Sequence, residues 1–392
     1  MEKFKVSVTG CGLGDFIYND IDFSSPSFQK YLSLQAGDGG WAPGNLVFTQ
    51  ELETFAGKPF SDILDEIAGE RSYNAFNIGG PALVCMINAA QLLFEAPVEL
   101  SFYGARANDD KGKAIMGLLE SFPINLDNYK VIVGETPYTD VLSDPLYQKG
   151  KGERTFVNNI ACAGSYNSLD LDAEFWKSDL LVFGGTALVP QIHNDLTALL
   201  FKAKQNDCFT FVNTVYDFPN EKRNPNKPWP LGNTLESLPL IDLLVMDYEE
   251  ALRISGKDNF KSIVSFFKLA GSNAFIITHG TNATYIYSSG KLFETIEAYI
   301  PVCDWISADF IKHPHLKGDT TGCGDNFAGA VIASVVRQKV ENRSLLSLRD
   351  AAEFGTVSGA LACYSVGGTY FEKYDGEKLE KVNEMLEMYL VK

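Results

Sequence analysis

Four short apolar runs, Leu180–Phe183, Phe209–Val212, Leu243–Met246 and Ala274–Thr278, constrain the fold of this chain more than any other feature. Apart from Thr210 and the final Thr278 every residue in them is apolar, the pattern of strands covered on both faces. Helix-length segments lie among them, at Gln191–Lys204, Tyr248–Ile254 and Asn259–Leu269. This alternation predicts a mostly parallel sheet with helices on both faces. Upstream, Lys5–Gly10 and Val98–Tyr103 read as strands, and Pro81–Phe94 and Lys111–Leu119 as helices. The C-terminal third reads as helices at Asp325–Arg337, Leu348–Cys363 and Glu377–Leu390.

Two stretches break the rhythm. Phe16–Asn77 is too long for a plain connection and must hold structure of its own. Tyr129–Asn159 reads as consecutive strands, Lys130–Val133, Thr139–Ser143 and Arg154–Asn158, expected to pair antiparallel at an edge or in a separate small sheet. Together the insertions, about 16–77 and 129–160, read as a β lid on one large α/β domain spanning 1–392.

The chain carries 33 Lys and Arg against 50 Asp and Glu, a net charge of −17. Such a surface repels nucleic acid and anionic membranes but leaves room for a local site that binds a small anion. No apolar run is long enough for a membrane span, and the start, Met1-Glu2-Lys3-Phe4-Lys5, lacks a signal-like apolar region, so a cytoplasmic protein is expected. The seven cysteines form no C-x-x-C pair and read as thiols in a reducing compartment. His313 and His315 have no further ligand at zinc spacing.

The chemistry concentrates in residues 318–333, which begin Gly318-Asp-Thr-Thr-Gly-Cys-Gly-Asp-Asn-Phe-Ala-Gly329. Gly322 and Gly324 bracket Cys323 and open a helix, so unpaired backbone N–H groups and the helix dipole make an anion hole. Asp325 at the same helix start can take a proton from an attacking hydroxyl, and Thr320 and Thr321 add donors. From the pattern alone, Asp325 as a helix cap and Asp325 as a general base stay equally open. Gly329 inside the helix signals close packing against a neighbour. The run Gly10-Cys-Gly-Leu-Gly-Asp15 imitates a dinucleotide fingerprint, but its third glycine position falls on Asp15, and no P-loop pattern exists in the chain.

Asp319-Thr-Thr-Gly-Cys-Gly-Asp-Asn-Phe327 resembles the second signature of the ribokinase-like (PfkB) carbohydrate kinases, D-T-x-G-A-G-D-x-F, with Cys323 in place of Ala. Other segments are similar at the expected intervals. Gly12-Leu-Gly-Asp15 resembles the family's first strand exit, which implies that Asp15 holds sugar hydroxyls. Gly79-Gly80 resembles G-G-x-x-x-N, with Val84 at the Asn position. Tyr103-Gly104 to Gly112 resembles a strand–turn–helix element, where Asp110 is expected to cap the helix. Gly152-Glu-Arg154-Thr-Phe resembles a lid strand, giving Arg154 a substrate role. Asp247-Tyr-Glu-Glu250 resembles N-x-x-E, which implies that Glu250, with Asp247, organises magnesium through water. Thr278-His-Gly280 resembles a strand end under the nucleotide, with His279 as spacing.

The resemblance implies a ribokinase-like fold and ATP- and Mg²⁺-dependent transfer of the γ-phosphoryl group to a hydroxyl of a small sugar. Asp325 would be the base, and Gly322, Cys323 and Gly324 the hole. Asp15, Gly79, Gly80 and Arg154 would meet the substrate; Asp247, Glu250, Thr278, Gly280, Thr320 and Thr321 would meet the nucleotide. It also implies a monovalent-cation site, without naming residues for it, and pairing of lids in a homodimer. Three alternatives stay open. A nucleoside kinase would use aromatics such as Trp41, Phe48, Tyr73 and Phe76, which otherwise read as lid core. A sugar-phosphate kinase needs a basic clamp, with Arg106 or Arg154 to supply it. A non-catalytic sugar sensor would fit the departures at Val84, Cys323 and Asp247.

Overall fold

The computed structural model describes residues 3–35, 37–69, 71–150 and 152–391. Its strands are β1 (Phe4–Gly10), β2 (Leu13–Tyr18), β3 (Leu46–Phe48), β4 (Ala75–Gly79), β5 (Val98–Arg106), β6 (Tyr129–Val131) and β7 (Tyr138–Asp144). They continue with β8 (Glu153–Asn159), β9 (Leu180–Gly184), β10 (Phe209–Asn213), β11 (Leu243–Asp247), β12 (Ala274–His279), β13 (Asn282–Ser288) and β14 (Ile296–Ile300). Nine form a large sheet ordered β14-β13-β12-β11-β10-β9-β1-β5-β6, and five a smaller one ordered β3-β8-β7-β2-β4. The large sheet is parallel from β12 to β6, with β13 and β14 added antiparallel at one edge.

The apolar runs are continuous because both faces of the central strands are covered. Leu180 and Val182 of β9 enter one core with Phe211, Val245 and Ile276. Leu181 and Phe183 point the other way, into a second core with Val212, Leu244 and Phe275. The first core is closed by the helices Pro81–Leu92, Cys323–Val340 and Leu348–Ala362, and the second by Pro190–Gln205, Tyr248–Ser255 and Phe260–Leu269.

The segment 16–77 runs from the end of β2 into β4 and holds β3 and the helices Thr49–Ala56 and Phe60–Ala68. It has its own core of Phe23, Phe28, Tyr31, Trp41, Leu52 and Ile63, under Leu142 and Val157 of the small sheet. The small sheet is mixed rather than antiparallel: β2–β7 and β3–β8 are parallel, β2–β4 and β7–β8 antiparallel. The stretch expected as strand Lys130–Val133 is β6, which pairs with Gly104–Arg106 in the large sheet. Tyr129 is buried there against Phe102, which anchors that edge.

Three helices meet almost backbone to backbone beside this sheet. A Cβ on Gly329 would lie 2.3 Å from the Cys85 carbonyl oxygen and 2.8 Å from Asn88 Cβ. Gly355 and Gly359, on the Leu348–Ala362 helix, face Val331 and the Cys323 carbonyl in the same way. Asn88 Nδ2 donates to the Asn326 carbonyl at 2.5 Å, closing the contact. Gly329→Ala is therefore expected to cost about 1–3 kcal/mol by overpacking, read as a lower midpoint in chemical denaturation at unchanged slope.

Candidate active site

The Cys323–Val340 helix begins two residues before the sequence expectation. Gly322 is its N-cap, at φ 70°, and among the described residues no side chain caps it. Glycine is required here: its backbone is left-handed, and a Cβ would fall 2.6 Å from Gly368 Cα. With no capping side chain, the first-turn N–H groups are not taken by a side-chain cap. Asp325 is therefore not the cap. It is the third helical residue, within the first turn, and burial alone pushes its carboxyl up to about 7.

Asp15 reaches the same region from β2. Its carboxylate lies against Gly79, where a Cβ would come within 2.3 Å of Oδ2, so the first glycine of the pair makes room for this acid. The second, Gly80, is N-cap of the Pro81–Leu92 helix at φ 88°, where a Cβ would strike the Cys11 carbonyl oxygen at 2.7 Å. Asp15 is 6% exposed. Burial, then the charges of Asp319 and Asp325, push it up to about 8, against the opposing pull of Arg154.

Arg154, on β8, ties the small sheet to the signature loop. Its guanidinium donates to Thr320 Oγ1 at 2.7 Å and to Thr321 Oγ1, and stands 3.4 Å from Asp319 Oδ1. Asp319 also accepts from the Thr321 and Gly367 amides, which fixes the turn before the hole. The structure thus brings Asp15, Arg154, Thr320, Thr321 and Asp325 into one electrostatic neighbourhood.

Asp247 and Glu250 form a reciprocal capping box at the start of the Tyr248–Ser255 helix: Glu250 N donates to Asp247 Oδ1 at 2.7 Å and Asp247 N to Glu250 Oε2 at 2.9 Å. Thr214 Oγ1 donates to the same Glu250 oxygen at 2.5 Å. Burial first, then the charge of Asp247, raises Glu250. Among the described residues no three His, Cys, Asp or Glu side chains converge on a metal site. This donor set fits an ion that arrives with phosphates and keeps its own waters. Thr278 lies beside Asp247 in the β11–β12 register, and Gly280 follows at φ 55°. These two are at the C-terminal end of β12 in the large sheet, whereas Asp15 is on β2 of the small one. His279 stacks on Tyr248, ring centroids 4.4 Å apart.

Several expectations change. Asp109, not Asp110, caps the Asp110–Leu119 helix, because its extended backbone lets Oδ1 accept from Gly112 N. Trp41, by contrast, is lid core, as the plainer of its two readings expects, stacked on Phe28 and 1% exposed. Val84 is buried beside Gly368 and offers no polar group at the position where the family pattern has Asn. The sequence reading also missed groups that have no local pattern. Lys378 is 1% exposed; its Nζ donates to Asn326 Oδ1 at 2.7 Å and Gln91 Oε1 at 3.1 Å, and burial brings it down to about 7. Cys323 Sγ lies 3.4 Å from Cys363 Sγ, forty residues on.

A protein-family model, "pfkB family carbohydrate kinase", matches residues 58–373. Adenosine kinase 2 of Arabidopsis thaliana is 22% identical over 324 residues, covering 79% of this chain and 85% of that protein. Among solved structures, the adenosine kinase of Schistosoma mansoni in complex with 2-fluoroadenosine superposes with TM-score 0.70 at 16% identity, covering 95% of this chain and 98% of that one. The Arabidopsis thaliana ribokinase complexed with ribose and ATP superposes with TM-score 0.60 at 14% identity, covering 98% and 99%. The two sheets, the uncapped signature helix and a family match across most of the chain lead to one conclusion: this protein belongs to the pfkB family of carbohydrate kinases.

Proposed function

We propose that the chain transfers the γ-phosphoryl group of ATP to a hydroxyl of a small sugar. One observation carries the reading: a half-buried carboxyl, Asp325, stands in the first turn of an uncapped helix, within electrostatic reach of a second acid, Asp15, on the small sheet. In this reading Asp15 orients the acceptor. Asp325 takes the hydroxyl proton as the oxygen bonds to the γ-phosphorus, and the bond from that phosphorus to the β,γ-bridging oxygen breaks, releasing ADP. The amides of Gly322, Cys323 and Gly324 meet the charge on the transferring group. Glu250 and Asp247 would hold Mg²⁺ through its waters, and Thr278 and Gly280 would lie under the nucleotide. Bound with the phosphates, the ion would supply charge neutralisation. The small sheet, with the helices beneath it, acts as a lid that keeps water from competing as acceptor.

A second reading, transfer to a nucleoside, draws on the adenosine kinases among the similar proteins. The test is ADP release with Mg·ATP over free sugars, polyols, sugar acids, sugar phosphates and nucleosides. A sugar hit establishes the first reading, a nucleoside hit the second, and silence over the whole panel overturns both.

Asp325→Asn is expected to lower kcat by about 10²–10⁴ with the thermal melt preserved. Unchanged turnover would remove Asp325 from the base role. Because the base works ionised and burial holds its carboxyl near 7, kcat/KM is expected to fall about tenfold per pH unit below about 7. That acid limb should vanish in Asp325→Asn. Cys323→Ala is expected to keep turnover within a few-fold of the parent, since the hole is backbone; a large loss would give the thiol a role of its own.

A further inference from the structure

The small sheet presents a polar row on the face that looks toward Asp325. In its register Asp15 is paired with Asn77 on one side and Thr139 on the other, and Thr139 is paired with Asn158. Directly paired residues project from the same face, so the four side chains form one line across β4, β2, β7 and β8. The face is identified at both ends. Asp15 feels the charges of Asp319 and Asp325, and Arg154, four residues before Asn158 on β8, touches Thr320 and Thr321. The opposite face carries Leu142 and Val157 into the core of the insertion.

The members of this row differ in what they have left to offer. Asn77 is fully engaged: Nδ2 donates to the Val366 and Thr369 carbonyls, and Oδ1 accepts from Ile78 N. Asn158 is not. It is 2% exposed; its Nδ2 donates to Thr139 Oγ1 at 2.9 Å, and among the described residues its Oδ1 has no hydrogen-bond partner. Thr139, 5% exposed, accepts that bond and keeps its own hydroxyl proton to donate. A buried amide oxygen without a partner costs free energy that a ligand can recover.

We infer that Thr139 and Asn158 form the specificity contact for the acceptor substrate, receiving a group that both donates and accepts a hydrogen bond. This rests on the phosphotransfer reading for the identity of the site. The pair lies one and two strands from Asp15, so Asn158 stands roughly 10 Å across the sheet from it. It therefore meets the end of the acceptor remote from the bond being made. A free sugar offers such a group as a hydroxyl, and a nucleoside offers it as the edge of its base. An apolar end would leave the amide oxygen unpaired.

The test is direct binding, by calorimetry, of free sugars, polyols and nucleosides to the full chain and to Asn158→Leu and Thr139→Val, with ADP release measured in parallel. For whichever ligand binds, affinity is expected to fall about 10–100-fold in Asn158→Leu and less in Thr139→Val, with KM rising and kcat little changed. An analogue lacking one hydroxyl, or one base-edge hydrogen-bonding group, should bind the parent chain more weakly by the same factor and Asn158→Leu no more weakly still. A mere structural clip between β7 and β8 would not produce that matched loss. The analogue series on the parent chain alone serves if Asn158→Leu does not fold: no single deletion weakening binding overturns the inference. Equal affinity in folded variants and parent overturns it, as does failure of every sugar, polyol and nucleoside to bind. Binding that obeys these expectations without ADP release supports the contact and overturns only the phosphotransfer reading.

Discussion

Everything at the site depends on how closely the Cys323–Val340 helix packs between its neighbours. Its first-turn amides can serve an anion only if the helix is held rigidly at the edge of the sheet, because preorganised dipoles gain their advantage by not having to reorient. Glycines supply that rigidity. Gly329 lets the helix touch the backbone at Cys85, and Gly355 and Gly359 let the next helix touch it from the other side. Asn326 pins its first turn: its side chain donates to the carbonyls of Gly322 and Gly368 and accepts from Lys378. The hole is thus the visible end of a packing arrangement that runs the depth of the domain.

Beside that helix stands a cluster of acids. Asp15, Asp319 and Asp325 share a region with a single guanidinium, in a chain already at −17. Like charges this close are relieved by keeping some carboxyls protonated. Burial and mutual repulsion do so at Asp15, which is held near 8 and so is largely neutral around pH 7. A neutral acid donates a hydrogen bond as well as accepting one, which suits a hydroxyl-bearing acceptor and removes a charge that would repel the incoming phosphoryl group.

How much of this could be read from sequence follows from how local each signal is. The central strands were legible because double-sided burial writes itself as an unbroken apolar run, and the signature loop because glycines and Asp325 sit within a few residues of one another. The placement of β6 was not, since its three residues look the same in either sheet and only Tyr129 packing on Phe102 decides. Lys378 lies among the charged residues of an amphipathic helix and reads as a surface lysine, yet the Pro81–Leu92 and Cys323–Val340 helices enclose it through Gln91 and Asn326. Thr139 and Asn158 are 19 residues apart, and nothing short of the β7–β8 register places one beside the other.

Arg154 shows why the small sheet cannot be separated from the chemistry below it. Its guanidinium is bonded to the two hydroxyls, Thr320 and Thr321, that the resemblance assigns to the nucleotide. That does not take them out of use. A threonine hydroxyl that accepts a bond from arginine still has its proton to donate, and the donor is then polarised by the adjacent positive charge. An anion bound by those hydroxyls would sit next to a cation carried on β8. The same strand carries Asn158, the contact inferred for the acceptor. On the proposed function, one strand therefore reaches both sides of the reaction. On that proposal, a movement that drew β8 toward the phosphates would also draw the acceptor contact toward Asp325, so closure over one substrate and alignment of the other would be a single motion of the sheet.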